Sequence, residues 1–338
     1  MKKLSIADAL RKCLIEEMRR DNKVFCIGED IAIPGGWGGA FTVTLGMEKE
    51  FSDRMINSPI SENGFMGVAL GAALNGLRPI ADVQYGDFLF CAMDQIANQI
   101  AKMRYMSGGK ISVPIVLRAP VGATGRGAQH AQSMEPFFIP LQGIKILVPA
   151  TAYDAVGLLR TAVRCDDPVL IFEHKLLYGS KGARAESGAI DASSEIPDED
   201  YTIPMGEAVV RHTGSDATVV ATLLMMHRCL QAADVLEKEG ISVEVIDPRS
   251  LVPFDWNTLK KSVEKTGRLV IVEEAPKRGG IGAEIAATAA EEMTEFLIAP
   301  IKRIAAPNTP VPFSPKMENF YVPQLNRIID ELRGVCAY

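Results

Sequence analysis

The feature that limits this chain most is a repeated exchange of periods. Short apolar runs of strand length alternate with stretches whose apolar residues recur at helical spacing, almost from end to end. In the first half, residues 5–20 (SIADALRKCLIEEMRR) read as a helix opened by Ser5 and Asp8, and VFCIGED as a buried strand. The glycine-rich loop PGGWGGAF at 34–41 precedes a strand at about 54–57, a small-residue helix at 64–76 and a strand at 79–84. A helix at 88–105, the apolar run VPIVLRAP, a second glycine-rich loop at 119–128, the strand ILVPA, a helix at 151–164 and the strand PVLIFEH complete this half. Strands separated by connections of this length need crossovers, which imply a parallel sheet covered by helices on both faces.

The alternation lapses between about 179 and 205, where GSKGARAESGAIDASSEIPDEDYTIP is rich in Gly, Ser, Asp and Glu. It resumes with ATVVATLL, a helix at 226–239, SVEVIDP, a helix at 255–265 and RLVIVEEA. GGIGAEIAATAAEEM then opens a helix, IKRIAAP is a strand, and 322–334 a closing helix. The expectation is an α/β fold of two consecutive parallel-sheet domains, residues 1–180 and 206–338, joined by a linker at 181–205.

Composition removes several function classes. A net charge of −6 over 338 residues argues against a general nucleic-acid binder. No apolar run reaches the length that crosses a bilayer, and charges interrupt the region after the two N-terminal lysines where a signal peptide would be apolar. A soluble, cytoplasmic protein is the expectation. Cysteines 13, 26, 91, 165, 229 and 336 form no CxxC pair and no zinc spacing, so they read as reduced core residues.

Among motifs that carry chemistry, the phosphate loop GxxxxGK[ST] is absent. GRGAQH (125–130) and GGIGAE (279–284) approach a dinucleotide fingerprint, but both lack its last glycine. Their first reading is glycines that permit a close strand-to-helix turn. His212 lies beside Gly214-Ser215 in an expected surface turn, His227 begins a helix and His174 ends a strand; all three read as structural or solvated. His130 differs, because GATGRGAQHAQS strips steric cover from the chain after a parallel strand, where open α/β folds place working groups. Position alone leaves it open between a structural and a functional role.

Glu62 also follows a strand and opens an apolar helix. An acid there complements the helix dipole, or it handles a proton. Phe88 follows another strand. If the strands are parallel, Glu62, Phe88 and His130 converge on one sheet edge as an acid, an aromatic face and an imidazole. That trio suits a flat heteroaromatic cofactor that changes tautomer.

Longer stretches then carry a resemblance. NSPISENGFMGVALGAALNGLRPIADVQ, DQIANQIAKMRYMSGG and PIVLRAPVGATGRGAQHAQS, continued by EVIDPRSLVPFD, VEKTGRLVIVEEA and NTPVPFSP, resemble the β subunit of the thiamine-diphosphate-dependent first component of 2-oxo acid dehydrogenase complexes. WGGAFTVTLGM, EHKLLYG and TPVPFSP look most like the acetoin dehydrogenase branch. The resemblance implies a transketolase-like pyrimidine-binding domain followed by a transketolase C-terminal-like domain. The latter would serve subunit assembly and docking.

Carried over by position, it makes Glu62 the carboxylate that hydrogen-bonds the coenzyme's aminopyrimidine and promotes its imino tautomer. Phe88 becomes the aromatic stacked on that ring, Ile60 and Gln84 neighbours in the same pocket, and His130 the group that stabilises the substrate adduct. Ala131 stands where relatives often have serine, which removes one supporting hydroxyl. Some relatives hold a monovalent cation, K+, on backbone carbonyls that match Ile115, Ala162, Val163, Cys165 and Asp167. A site without a cation is an equal reading.

The family binds Mg2+ through a Gly-Asp-Gly…Asn motif, and the only Gly-Asp here, Gly86-Asp87, runs into Phe88. The resemblance therefore implies an α subunit carrying the metal ligands in an α2β2 heterotetramer, with a lipoyl acyltransferase as the acceptor. Acetoin or a short 2-oxo acid is the implied small-molecule substrate. Two rival readings stand beside it: a nucleotide-dependent oxidoreductase built on GGIGAE, and a non-catalytic scaffold subunit of a multienzyme complex.

Overall fold

The computed structural model describes residues 2–180 and 185–338. Its first strand, β1 (Lys2–Leu4), leads into α1 (Ile6–Arg20), whose N-cap Ser5 accepts from the Asp8 amide. Next come β2 (Val24–Gly28), β3 (Met55–Asn57), α2 (Glu62–Leu74) and β4 (Arg78–Asp82). After these come α3 (Met103–Met106), β5 (Val116–Val121), α4 (Glu135–Phe138), β6 (Lys145–Leu147), α5 (Ala152–Arg164) and β7 (Val169–His174). Strands β6-β7-β5-β4-β2-β3 pair in parallel in that spatial order. Every residue of β5 and β7 is buried, so both faces are covered, as the unbroken apolar runs require.

One helix differs from expectation. Instead of a single α-helix over 88–105, the chain forms a 3-10 segment (Gly86–Ala92), a π segment (Asp94–Ile100) and the short α3. The Ala101 amide bonds the Ile96 carbonyl at 3.0 Å, a reach of five residues. Leu89, Ala92, Ile96 and Ile100 are all fully buried, and an apolar stripe of that spacing fits a wider or a narrower coil equally well.

The stretch expected as a linker is described from residue 185 onward. It contains β8 (Ser194–Ile196), which pairs antiparallel with β1. Arg160 of α5 donates to the Tyr201 carbonyl at 3.1 Å, and the Tyr201 ring stacks on Tyr153 at 4.5 Å. The linker residues 181–184 lie outside the described residues.

The second half contributes β9 (Val209–His212), β10 (Ala217–Ala221), α6 (Leu223–Glu237), β11 (Val243–Asp247), β12 (Ser250–Val252), α7 (Trp256–Thr266) and β13 (Leu269–Pro276). It ends with α8 (Ile281–Glu292), β14 (Lys302–Ala306), α9 (Pro315–Tyr321) and α10 (Leu325–Cys336). Strands β14-β13-β10-β11 are parallel and β9 closes the edge antiparallel. His212, expected in a surface turn, instead ends β9 with Nδ1 at 2.8 Å from the Val243 carbonyl.

The two halves are stitched together. β12 leaves the second half to pair antiparallel with β6, extending the first sheet to seven strands. Beside it, Arg211 bridges the buried carboxylates of Asp154 on α5 and Asp247 on β11, and Arg249 adds a 3.3 Å contact to Asp154. His227 lies 2.7 Å from the Ala150 carbonyl.

Candidate functional site

Parallel strands present their carboxyl ends on one edge, and the spatial order β7-β5-β4-β2-β3 sets the order of the segments leaving that edge. Lys175 comes after β7, the loop 122–130 after β5, Gln84 to Phe88 after β4, Glu29 after β2, and Ser58 to Glu62 after β3. The edge therefore carries two adjoining groups of side chains, joined by the segment 84–88.

The first group is aromatic. The Phe88 and His130 rings meet edge to face at 5.2 Å, and Tyr85 completes the cluster at 5.1 Å from His130 and 5.5 Å from Phe88. Lys175 is buried beneath it, donates to the His130 backbone carbonyl, and holds its ammonium 5.2 Å from the centre of the Tyr85 ring. Burial pulls the Lys175 ammonium down to about 8, against the pull of Asp87 and Glu274.

The second group is acidic. Glu62 is buried in the first turn of α2, where the Ser61 side chain makes no capping bond. The dipole thus favours a carboxylate there. Glu29 lies beside it: burial first, then the Glu62 carboxylate, push Glu29 up to about 7, with the Ser61 amide opposing. Gln84 points to this side, its amide donating to Asp30 at 3.1 Å.

The structure thus brings Phe88 and His130 into contact and sets Glu62 with Glu29, with β2 and β4 lying between β3 and the strand that leads to His130. Ile60, expected in a pocket wall, is 85% exposed in this chain.

Sequence reasoning missed Glu29, Tyr85 and Lys175. Glu29 had the same signal as Glu62, an acid just past a strand. Lys175 had another, a cation inside the apolar run FEHKLLYG.

The carbonyl set matched to a cation lies at the opposite edge of the sheet. There Ile115 accepts from Val169 at 2.9 Å, Ala162 from Cys165 at 3.2 Å, and Cys165 from the Arg78 guanidinium at 3.2 Å. Arg104 and Lys145 pair with the Asp167 side chain. Among the described residues, no group of three or more His, Cys, Asp or Glu side chains is placed to hold a metal ion.

GGIGAE does open α8 after β13, but its helix start is already filled. A side chain on Gly280 or Gly282 would strike the Glu273 carboxylate at 2.3–2.5 Å, and the Gly282 amide bonds that carboxylate at 3.3 Å. The glycines make room for Glu273, whose carboxyl occupies the amides that a diphosphate would need. His174 is equally occupied, buried with Nε2 at 2.8 Å from Glu274.

Comparison with known proteins agrees with this architecture. Residues 2–181 match the model of the transketolase pyrimidine binding domain and residues 206–328 that of the transketolase C-terminal domain. A split-gene transketolase, described as an inactive β4 tetramer, shares the fold with a TM-score of 0.78 over 99% of both chains at 24% identity. This is the two-domain arrangement of transketolase-type proteins.

The β subunit of acetoin:2,6-dichlorophenolindophenol oxidoreductase from Cupriavidus necator is 44% identical, over 97% of this chain and 96% of its own. The 2-oxoisovalerate dehydrogenase β subunit of Bacillus subtilis is 41% identical over the full length of both. The pyruvate dehydrogenase E1 β subunit of the same organism is 39% identical, again over both full lengths. The chain belongs to the family of E1 β subunits of the acetoin, pyruvate and branched-chain 2-oxo acid dehydrogenases. Among its described residues, no helix is long and apolar enough to cross a membrane.

Proposed function

We propose that this chain is the β subunit of a cytoplasmic α2β2 thiamine-diphosphate enzyme. It would cleave acetoin or decarboxylate a 2-oxo acid and pass the fragment to a lipoyl group on an acyltransferase. The observation that carries the proposal is the single edge on which Glu62, Phe88 and His130 come after parallel strands of one sheet.

The residues present fit the pyrimidine end of the coenzyme. Buried oxygens of Glu29 (Oε1) and Ser58 (Oγ) have no partner among the described residues, as expected where a polar ring belongs. When bound, thiamine diphosphate supplies the carbon nucleophile that attacks a carbonyl. Glu62 would hold the proton at a pyrimidine nitrogen, with Glu29 beside it titrating near neutrality. Phe88 would offer its ring face, Gln84 and Ile60 would line the same pocket, and His130 would donate to substrate oxygens. Mg2+ ligands are assigned to the α subunit. A K+ ion on the carbonyls of Ile115, Ala162, Val163, Cys165 and Asp167 would have to share the end of α5 with the Arg78 guanidinium.

The test is co-expression with an α-type partner and Glu62→Gln. The tetramer should assemble and lose most exchange of the coenzyme's thiazolium proton. Exchange at the wild-type rate would remove the role given to Glu62. Turnover on acetoin against pyruvate and branched 2-oxo acids then separates the substrates.

A further inference from the structure

The loop 122–130 poses a mechanical problem. It ends on His130, yet Gly122, Gly125 and Gly127 all sit at positive φ (95°, 72° and 75°), so the backbone alone restrains it weakly. Besides the Arg126–Glu186 ion pair and the bond from the Gly122 amide to the Gln132 carbonyl, three charged groups hold its backbone. The Ala123 amide donates to Glu274 Oε1 at 2.6 Å and the Gly125 amide to Glu318 Oε2 at 2.7 Å. At the far end the Lys175 ammonium donates to the His130 carbonyl. Glu274 is itself held by His174, whose Nδ1 accepts from the Leu176 amide at 3.1 Å, leaving the Nε2 proton for the carboxylate.

Both carboxylates come from the second half. Glu274 is on β13 and Glu318 on α9, and Phe313, also from that half, covers Gly127: a side chain on Gly127 would meet its ring at 3.2 Å. Hydrogen bonds from amides to ionised carboxylates are roughly twice as strong as neutral ones. Two of them and a lysine thus fix the glycine loop at both ends and in the middle.

We propose that Glu274 and Glu318 are positioning residues for His130, so that the C-terminal half sets the placement of a working side chain in the N-terminal half. This rests on the role given to His130 above. It adds a duty to a half otherwise expected to serve assembly and docking.

Glu318 is the better handle, because Glu274 is fully enclosed. In the co-expressed α/β enzyme, Glu318→Ala should lower kcat roughly 10–100-fold, the scale of a 1 Å misplacement. KM and coenzyme affinity should stay within about threefold, since Glu318 bonds the loop at Gly125 while Glu62 and Glu29 follow other strands of the sheet. Glu318→Gln keeps an acceptor and should restore most of kcat.

Two further readouts separate the clamp from the functional reading. Amide hydrogen exchange in the peptide spanning 121–132 should quicken in Glu318→Ala and not in Glu318→Gln. The double variant with His130→Ala should be no slower than His130→Ala alone, because a displaced group and an absent one are equivalent. Unchanged exchange, or effects that multiply in the double variant, overturns the proposal. Faster exchange combined with wild-type turnover in His130→Ala leaves the clamp standing but overturns the positioning claim and the role of His130 beneath it.

Discussion

Glu135→Gln should change how stability depends on pH, and the size of the change can be worked out from where the side chain sits. Glu135 opens α4 facing the seam between the two sheets, 7% exposed, with Oε2 unpartnered among the described residues. Ser133, His174, Glu273 and Glu274 share its small cavity, which leaves about 10 Å³ for a water centre, room for one molecule at most. Burial first, then Glu274 and Glu273, push the Glu135 carboxyl from 4.5 up to about 8.

The folded protein therefore keeps a proton that the unfolded chain releases. For a raised pKa the stabilisation is complete below 4.5 and is lost as pH rises to about 8, at ~1.4 kcal/mol per pH unit. Over the whole window that is roughly 5 kcal/mol as an upper limit, and between pH 6 and 8 under 3 kcal/mol. At ~2.1 cal/mol/K per residue, 338 residues give an unfolding entropy near 0.7 kcal/mol/K, so those 3 kcal/mol correspond to about 4 °C.

Glutamine keeps the shape and removes the titration. Calorimetric Tm values of both proteins at pH 6, 7 and 8 should show the wild type losing about 4 °C relative to Glu135→Gln. Curves parallel within about 1 °C would falsify the claim that Glu135 is buried protonated.

Two other substitutions probe the edge that carries the site. Arg118 is buried and donates to Glu173 at 2.6 and 2.9 Å and to Asp82, so Arg118→Met takes the cation from the buried Glu173, which keeps the Tyr178 hydroxyl at 2.5 Å, and from the half-buried Asp82. It should cost on the order of 3–5 kcal/mol, seen as a Tm several degrees lower, and an unchanged Tm would contradict the burial. Gly122→Ala places a methyl 2.0 Å from His174 Nε2 at φ 95° and should destabilise by more than ~2 kcal/mol. Gly240→Ala, at φ 81° in open space, should cost only about 1 kcal/mol, so equal losses would mean that the His174 contact is unimportant.

Much of the fold was legible because parallel sheets advertise themselves. VFCIG, VLRAPV and VLIFEH are buried throughout, so their apolar runs are unbroken and bounded by helices that start at good caps such as Ser5 and Thr151. The antiparallel edge strands were not legible. β1, β8 and β12 have three residues each, too few for any period, and tertiary pairing alone defines them. In the site, Glu62, Phe88 and His130 could be named because each stands just past a strand. Their grouping could not, since it depends on strand order across the sheet. Glu29, Lys175 and the carboxylates that hold the glycine loop were hidden for the same reason, as they act from a distance of tens to more than a hundred positions along the chain.

The pairing of β12 with β6 has a consequence during synthesis. Lys145–Leu147 leaves the ribosome about 100 residues before Ser250–Val252, and at 5–20 residues per second its outer edge stays bare for roughly 5–20 s. A naked sheet edge recruits whatever strand is near, including the same segment of a neighbouring nascent chain. This edge is only three residues long and begins with a lysine, both of which discourage such partners. The chain can thus wait for its own later strand, and the first sheet is finished only when roughly the first third of the second half has been made.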